Sequence, residues 1–253
     1  DLGICKMYVI IIAAGSGERI SDDIKNTPKS LISVNNKPII EYQIDVLKQM
    51  KLDHIVVITG SNNEKFELKN VQYIKDVNYN KHDILGSLME AKDYIKNDVL
   101  ILYSDIIFEA KIIEKILDSK SDISIAVDMN WEKRYENRSA HPKTEAENVL
   151  LNEEKNIIQI KKNIQNEKNL IGEFIGIMKL SADGSKIFVK KYEELLKNNK
   201  GNFHEASSVL KAYLTDMIQE LVDSQIHVEP VFISGKWCEI DTMQDLKRAE
   251  EMF

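Results

Sequence analysis

The stretch that most constrains this chain of 253 residues is residues 7–38. It opens with Tyr8-Val9-Ile10-Ile11-Ile12, an apolar run in which no polar residue alternates with the β-branched ones. Such a run predicts a strand buried on both faces, as in a parallel sheet covered by helices. It ends at Ala13-Ala14-Gly15-Ser16-Gly17, where only small side chains occur. Without bulky side chains the backbone can approach a ligand closely and turn its N–H groups toward it. Two cations follow, Arg19 and, after Pro28, Lys29. A strand, a small-residue loop and two spaced cations suit a nucleoside triphosphate. The loop would meet base and ribose, and the cations would hold phosphate oxygens. The competing reading is an ordinary strand–turn with scattered charges; the glycines alone favour it, and Arg19 with Pro28-Lys29 weighs against it.

Two other phosphate loops do not fit. A Walker A loop needs Gly-x-x-x-x-Gly-Lys-Ser/Thr, and Lys29-Ser30 has no glycine in the right place. A dinucleotide loop needs a third glycine where Ile20 stands.

Further along, residues 39–50 predict a helix, with Ile39, Ile40, Ile44, Val46, Leu47 and Met50 on its apolar face and Pro38 at its first turn. His54–Thr59 reads as the next buried strand, and strand–loop–helix–strand begins a doubly wound α/β sheet. A short strand is predicted at residues 71–74 and helices at 83–95, 181–196 and 206–221. Val99–Tyr103 predicts the central strand, with Ser104-Asp105 just past its end, where open α/β sheets place ligands. Residues 122–128 form another strand. Residues 149–151, 157–160 and 174–180 predict a small antiparallel subsheet on the acceptor side, and 227–233 the last strand. No linker rich in Pro, Gly or Ser divides the chain, so residues 7–253 read as one domain. Residues 1–6 read as a tag or upstream remnant.

The run A-A-G-x-G-x-R at Ala13–Arg19, followed by Pro28-Lys29, resembles the signature of the nucleotidyltransferase superfamily. Members of that superfamily activate sugar phosphates, phosphocholine or phosphonates with an NTP. The C-terminal run Trp237-Cys238-Glu239-Ile240-Asp241-Thr242, with Asp245 three residues on, resembles the family's W-x-E-I-D-T-x-x-D. The segment from Trp131 to Glu147, W-x-x-x-Y-x-x-R-x-x-H-P-x-x-E-A-E, is similar to cytidylyltransferases acting on phosphonates, phosphocholine or phosphoglutamine.

The resemblance implies a Rossmann-like, mostly parallel mixed sheet and a CTP-dependent transfer of CMP with release of pyrophosphate, in surface polysaccharide or phosphonate pathways. Arg19 and Lys29 are then the catalytic cations. Ala13, Ala14, Gly15, Ser16, Gly17 and Ser87 bind the nucleotide, and Asp105 and Asp241 hold Mg²⁺. Arg134, Arg138, His141, Lys161 and Glu173 are the acceptor candidates. Plainer readings stand beside these. Ser87 can be a first-turn serine capping backbone N–H groups. The cations of the 129–147 insert can be a solvated surface, and Lys161 an edge-strand charge. Asp216 either binds a substrate amine or pairs with a neighbouring lysine. The rival activities are sugar-1-phosphate uridylyl- or thymidylyl transfer, and nucleotide sensing without turnover.

Charge narrows the partners. The net charge of −7 argues against nucleic acid or an anionic membrane. No apolar run is long enough to span a bilayer, and no leader is evident, so a cytoplasmic enzyme is expected. Two distant cysteines, Cys5 and Cys238, fit a reducing compartment. A homodimer is compatible with the sequence.

Overall fold

Strand β1 (Tyr8–Ala13) runs through the middle of the molecule, and its two faces explain its composition. Ile10 and Ile12 enter one hydrophobic core, and Val9, Ile11 and Ala13 enter the other. Successive side chains on a strand point to opposite faces, so a strand with helices above and below has no polar position left. The computed structural model describes residues 7–15, 26–166 and 170–253; residues 1–6, with Cys5, lie outside this set.

After a 3-10 turn at Lys29–Leu31, the hairpin β2 (Ser33–Val34) and β3 (Lys37–Pro38) feeds α1 (Ile39–Gln49). α1 buries Ile39, Ile40, Gln43, Ile44 and Leu47. The polar member of that stripe, Gln43, donates its amide to the carbonyls of Tyr103 at 2.7 Å and Ile106 at 2.8 Å. β4 (His54–Thr59) pairs in parallel with β1, and β5 (Gln72–Lys75) with β4.

α2 (Ile84–Met89) is much shorter than the predicted helix at 83–95, and a separate 3-10 turn follows at Lys92–Tyr94. Leu85, Leu88, Ala91 and Ile95 are all buried in one core. Two short pieces satisfy their spacing as well as one long helix does, and Gly86 weakens the continuous alternative.

β6 (Val99–Tyr103) flanks β1 on its other side. Next come β7 (Ile106–Phe108), α3 (Ala110–Leu117) and β8 (Ile123–Asp128). The insert then makes 3-10 turns at Trp131–Tyr135 and Lys143–Glu145. Its aromatics do not face solvent: Trp131, Tyr135 and Ala146 form a small core of their own. β9 (Glu147–Leu151), β10 (Ile157–Lys162) and β11 (Leu170–Leu180) are antiparallel, as predicted, and continuous with the main sheet. The order is β10-β9-β11-β6-β1-β4-β5, with β8 also paired to β11.

Gly176 makes the join between the antiparallel and parallel halves possible. It lies in the register shift between Phe174 and Met178, at φ +78°, and a Cβ there would sit 2.4 Å from the Tyr103 ring. Gly176→Ala therefore combines left-handed strain with a clash. We expect a loss of roughly 2–4 kcal/mol in urea unfolding, with the m-value unchanged.

α4 (Ala182–Asn198) is capped by Ser181, whose Oγ accepts from Gly184 N at 3.0 Å. Phe188 and Tyr192 carry its buried face, whereas Leu196 is 46% exposed. The helix predicted at 206–221 begins only at α5 (Leu214–Asp223). Asp216 sets that start: its carboxylate accepts Tyr213 N at 2.8 Å and Glu205 N at 3.0 Å. It therefore caps backbone rather than pairing with a lysine.

β12 (Glu229–Phe232) pairs with β8, and β13 (Trp237–Glu239) with β7, before α6 (Met243–Met252). Thr242 and Asp245 form the predicted capping box. Cys238 is a buried free thiol. Among the described residues no helix is long and apolar enough to cross a membrane.

Candidate active site

A cleft of about 880 Å³ opens past the carboxyl ends of β1, β4 and β6. This is where an open α/β sheet exposes free backbone groups to a ligand. Ala13, Ala14 and Gly15 form its floor, while Ser16, Gly17 and Arg19 lie outside the described residues. The turns after β1 and β4 touch so closely that a Cβ on Gly60 would stand 2.4 Å from the Ala14 carbonyl oxygen.

Asp105 and Asp241 are separated by more than half the chain, yet they meet around one cation. Lys29 Nζ donates to Asp105 Oδ2 at 2.7 Å and to Asp241 Oδ1. Antiparallel pairing of β13 with β7 brings the C-terminal run to this point, and Ile240 N donates to the Asp105 carbonyl at 2.9 Å. On the other side, the two bonds from Gln43 hold the corner between Tyr103 and Ile106 that presents Asp105.

Burial alone would strip the charge from Lys29. The negative Asp105 and Asp241 around it prevail, and its pKa lies above the ordinary lysine value. Burial would likewise raise Asp241, but the Lys29 ammonium holds its carboxyl down at about 2. Glu239 has the opposite fate: burial, then the charges of Asp241 and Asp105, push it well above the carboxylate range. His141 Nδ1 lies 3.3 Å from Asp241 Oδ2, and burial with the nearby Arg138 charge lowers its pKa.

The donor chemistry fits a divalent cation. Asp105 Oδ1 is buried without a hydrogen-bond partner among the described residues. His141, Glu239 and Asp241 each place one ligand atom within 4.8 Å of the others. Carboxylate oxygens of this kind suit Mg²⁺, which binds through one or two carboxylates together with substrate phosphates.

Toward the antiparallel strands the cleft is lined by Tyr103, Glu145, Glu147, Lys162 and Tyr213. Lys162 Nζ lies 2.8 Å from Glu145 Oε2 and 5.5 Å from the centre of the Tyr213 ring. Burial pushes Glu147 up to about 8 against the pull of Lys162.

Several predicted acceptor residues do not line this cleft. Arg134 is taken up by Asp128 at 3.2 Å and by the Gly235 carbonyl at 2.8 Å, and it stacks on Trp237. Arg138 is buried behind the carboxylates, bonded to Asp245 at 2.6 Å and Glu239 at 3.2 Å. Lys161 points toward Glu205, 3.8 Å away. Its neighbour Lys162 lines the cleft instead, and strand alternation from the buried Ile160 is the sequence signal that selects it. Ser87 lines the cleft, but its hydroxyl donates to Asp76 at 2.7 Å.

Glu173 is buried beneath the insert, accepting from the Tyr135 hydroxyl at 2.6 Å. Burial lifts its pKa from 4.5 to about 8, against the Tyr135 hydrogen bond and the Arg138 charge. Across that window the folded chain keeps a proton that the unfolded chain has released. Stability from this group therefore falls as pH rises from about 4.5 to about 8. Glu173→Gln should flatten this slope, so the Tm difference, variant minus wild type, should become more positive between pH 5.5 and 8.5 (test conditions, roughly spanning the window).

An open α/β sheet whose ligand cleft is floored by a small-residue turn and faced by a lysine between two aspartates is a nucleotide-handling architecture. The chain belongs to the MobA-like NTP transferase domain family, whose profile matches residues 9–239. It is 30% identical over 254 aligned positions to the CTP:phosphoglutamine cytidylyltransferase of Campylobacter jejuni, with 95% of this chain and 98% of that protein covered. Two solved structures share the fold. The CTP:phosphocholine cytidylyltransferase of Streptococcus pneumoniae superposes with TM-score 0.69 at 21% identity, covering 98% of this chain and 99% of that one. The inositol-1-phosphate CTP transferase of T. maritima gives 0.74 at 17% identity, covering 98% and 95%.

Proposed function

We propose that this chain is a cytidylyltransferase that moves CMP from CTP to a small phosphorylated or phosphonate acceptor and releases pyrophosphate. Phosphoglutamine, phosphocholine and 2-aminoethylphosphonate are the acceptor types. The observation that carries the reading is the 30% identity to the phosphoglutamine enzyme across nearly the full length of both chains. In this reading the enzyme works in the cytoplasm, where CTP is made, and supplies CDP-linked intermediates for surface polysaccharide or phosphonate assembly.

An acceptor oxygen that is already anionic needs no general base. It forms a bond to the α-phosphorus in line as the bond to the β-phosphate oxygen breaks. The work of the site is to align the two anions and offset their charge. Lys29, kept as an ammonium by its carboxylate neighbours, supplies a cation for the α-phosphate and the incoming acceptor. Ala13, Ala14 and Gly15 leave room for the nucleoside. Arg19 is assigned to the β/γ end from the sequence pattern alone. Asp105 and Asp241, with His141 and Glu239 beside them, would hold Mg²⁺, which supplies charge neutralisation at the triphosphate when bound. Lys162 and Glu145 face the acceptor end, where a bound carboxylate or amine finds an opposite charge.

The test is a pyrophosphate-release screen of four NTPs against phosphoglutamine, phosphocholine, aminoethylphosphonate and sugar 1-phosphates. Release with CTP and one of the first three, abolished by EDTA and restored by Mg²⁺, supports the reading. Release confined to UTP or dTTP with a sugar phosphate would overturn it, as would tight nucleotide binding without any release.

A further inference from the structure

The loop between β5 and α2 carries a buried polar cluster that the transfer reaction leaves unused. Asp76 is fully buried at the end of β5 and accepts three donors. Asn78 N lies 2.8 Å from its Oδ1, and Ser87 Oγ lies 2.7 Å from its Oδ2. His82 Nδ1 lies 3.0 Å and 2.9 Å from the two oxygens. The imidazole is also packed in place, since a Cβ on Gly86 would come within 2.8 Å of its ring carbons. Its side chain is 8% exposed, and the residue lines the cleft. With both Asp76 oxygens accepting, a ring proton sits on Nδ1, and in the neutral imidazole Nε2 is then the acceptor. Among the described residues Nε2 has no hydrogen-bond partner. Glu90 stands 3.8 Å from Nδ1, but the Asp76 oxygens are already engaged, so the cluster is a support for the ring rather than a cation site.

Sheet order says which part of a nucleotide meets this ring. Asp105, with the Lys29 ammonium bonded to it, stands just past the end of β6, whereas the His82 loop follows β5, at the other end of the run β6-β1-β4-β5. The small-residue turn of β1 lies between them. A nucleotide with its phosphates at β6 extends its base toward β5.

We propose that His82 selects the base: Nε2 accepts a hydrogen bond from an exocyclic amino group, which cytosine carries and uracil and thymine do not, and Asp76 holds the ring in the tautomer that allows it. This rests on the reading of the cleft as a nucleotide site. A carbonyl oxygen at the same place sets lone pair against lone pair, so a uracil base loses the bond and meets repulsion. Ser87, whose hydroxyl donates to Asp76, shares in fixing the acid.

The test is calorimetric binding of CTP and UTP, with Mg²⁺ present, to wild type and to His82→Asn. An asparagine amide can still donate to Asp76, so the variant keeps the support and loses the reader. Wild type should bind CTP at least about tenfold tighter than UTP, and His82→Asn should weaken CTP about tenfold while leaving UTP within about twofold. Equal weakening of both nucleotides, or no preference in wild type, overturns the proposal. Should His82→Asn fail to fold, His82→Phe gives the same two readouts. Selective CTP binding without pyrophosphate release from any acceptor would sink the proposed activity and leave this assignment standing. Release with an unchanged CTP preference in the variant would do the reverse.

Discussion

Lys29→Met should lower the single-turnover rate of pyrophosphate release by roughly a thousandfold, with the protein still folded. The substitution removes the ammonium between Asp105 and Asp241, and with it the cation proposed for the α-phosphate. A thousandfold corresponds to about 4 kcal/mol of transition-state stabilisation, within the range of a single well-placed electrostatic contact. Lys29→Arg keeps the charge but presents a planar fork to a site shaped for a point charge, so an intermediate loss is expected. A second readout follows from the electrostatics. The Lys29 charge and hydrogen bond hold Asp241 at about 2, and without them burial is countered only by His141 and the Glu239 hydrogen bond. The Asp241 carboxyl should therefore titrate higher in Lys29→Met, visible by NMR. A loss of activity under tenfold, with Asp241 unchanged, would contradict both roles.

The second large effect is on stability. Arg138 is 7% exposed and bonds Asp245 and Glu239. Asp245 is itself fully buried, and its other oxygen accepts from Asp241 N at 3.1 Å, Thr242 N at 3.0 Å and Thr242 Oγ1 at 2.9 Å. Arg138→Met leaves that carboxylate buried without its cation. Breaking one partner of such a pair costs about 3–5 kcal/mol, far more than an exposed ion pair is worth. Urea unfolding should show it as a lower midpoint with an unchanged slope. Replacing Arg138 and Asp245 together by apolar residues should recover part of the loss, because the buried charge goes with its partner. A change below about 1 kcal/mol in Arg138→Met would mean that the insert and the C-terminal turn are not joined through this residue.

Much of the frame was legible from local patterns. The two-sided burial of Tyr8–Ala13 and Val99–Tyr103 follows from unbroken apolar runs, and the Thr242–Asp245 box from two residues at the right spacing. The meeting of Asp105 with Asp241 came from family resemblance, because no local rule links positions so far apart. What escaped is what depends on tertiary pairing. Arginines in a polar insert look alike in sequence, whether they grip a ligand or brace a buried acid. Arg134 and Arg138 brace acids because Asp128 and Asp245 come to them from other elements. Asp76 and Gln43 gave no signal, since a buried polar side chain declares itself only when its partners are in view. The helix predicted at 206–221 failed for a related reason. Asp216 ties off backbone N–H groups from Tyr213 and Glu205, and apolar periodicity does not register a cap.

The two hydrogen bonds from Gln43 have a consequence for anyone redesigning this chain. The carboxylate of Asp105 hangs from a corner pinned by an amide on a helix some sixty positions upstream. Grafting a foreign insert between β8 and β9 to widen the acceptor range leaves that pin untouched. Trimming or resurfacing the first helix does not, and a change made there for solubility would shift the Asp105 carboxylate in the cleft.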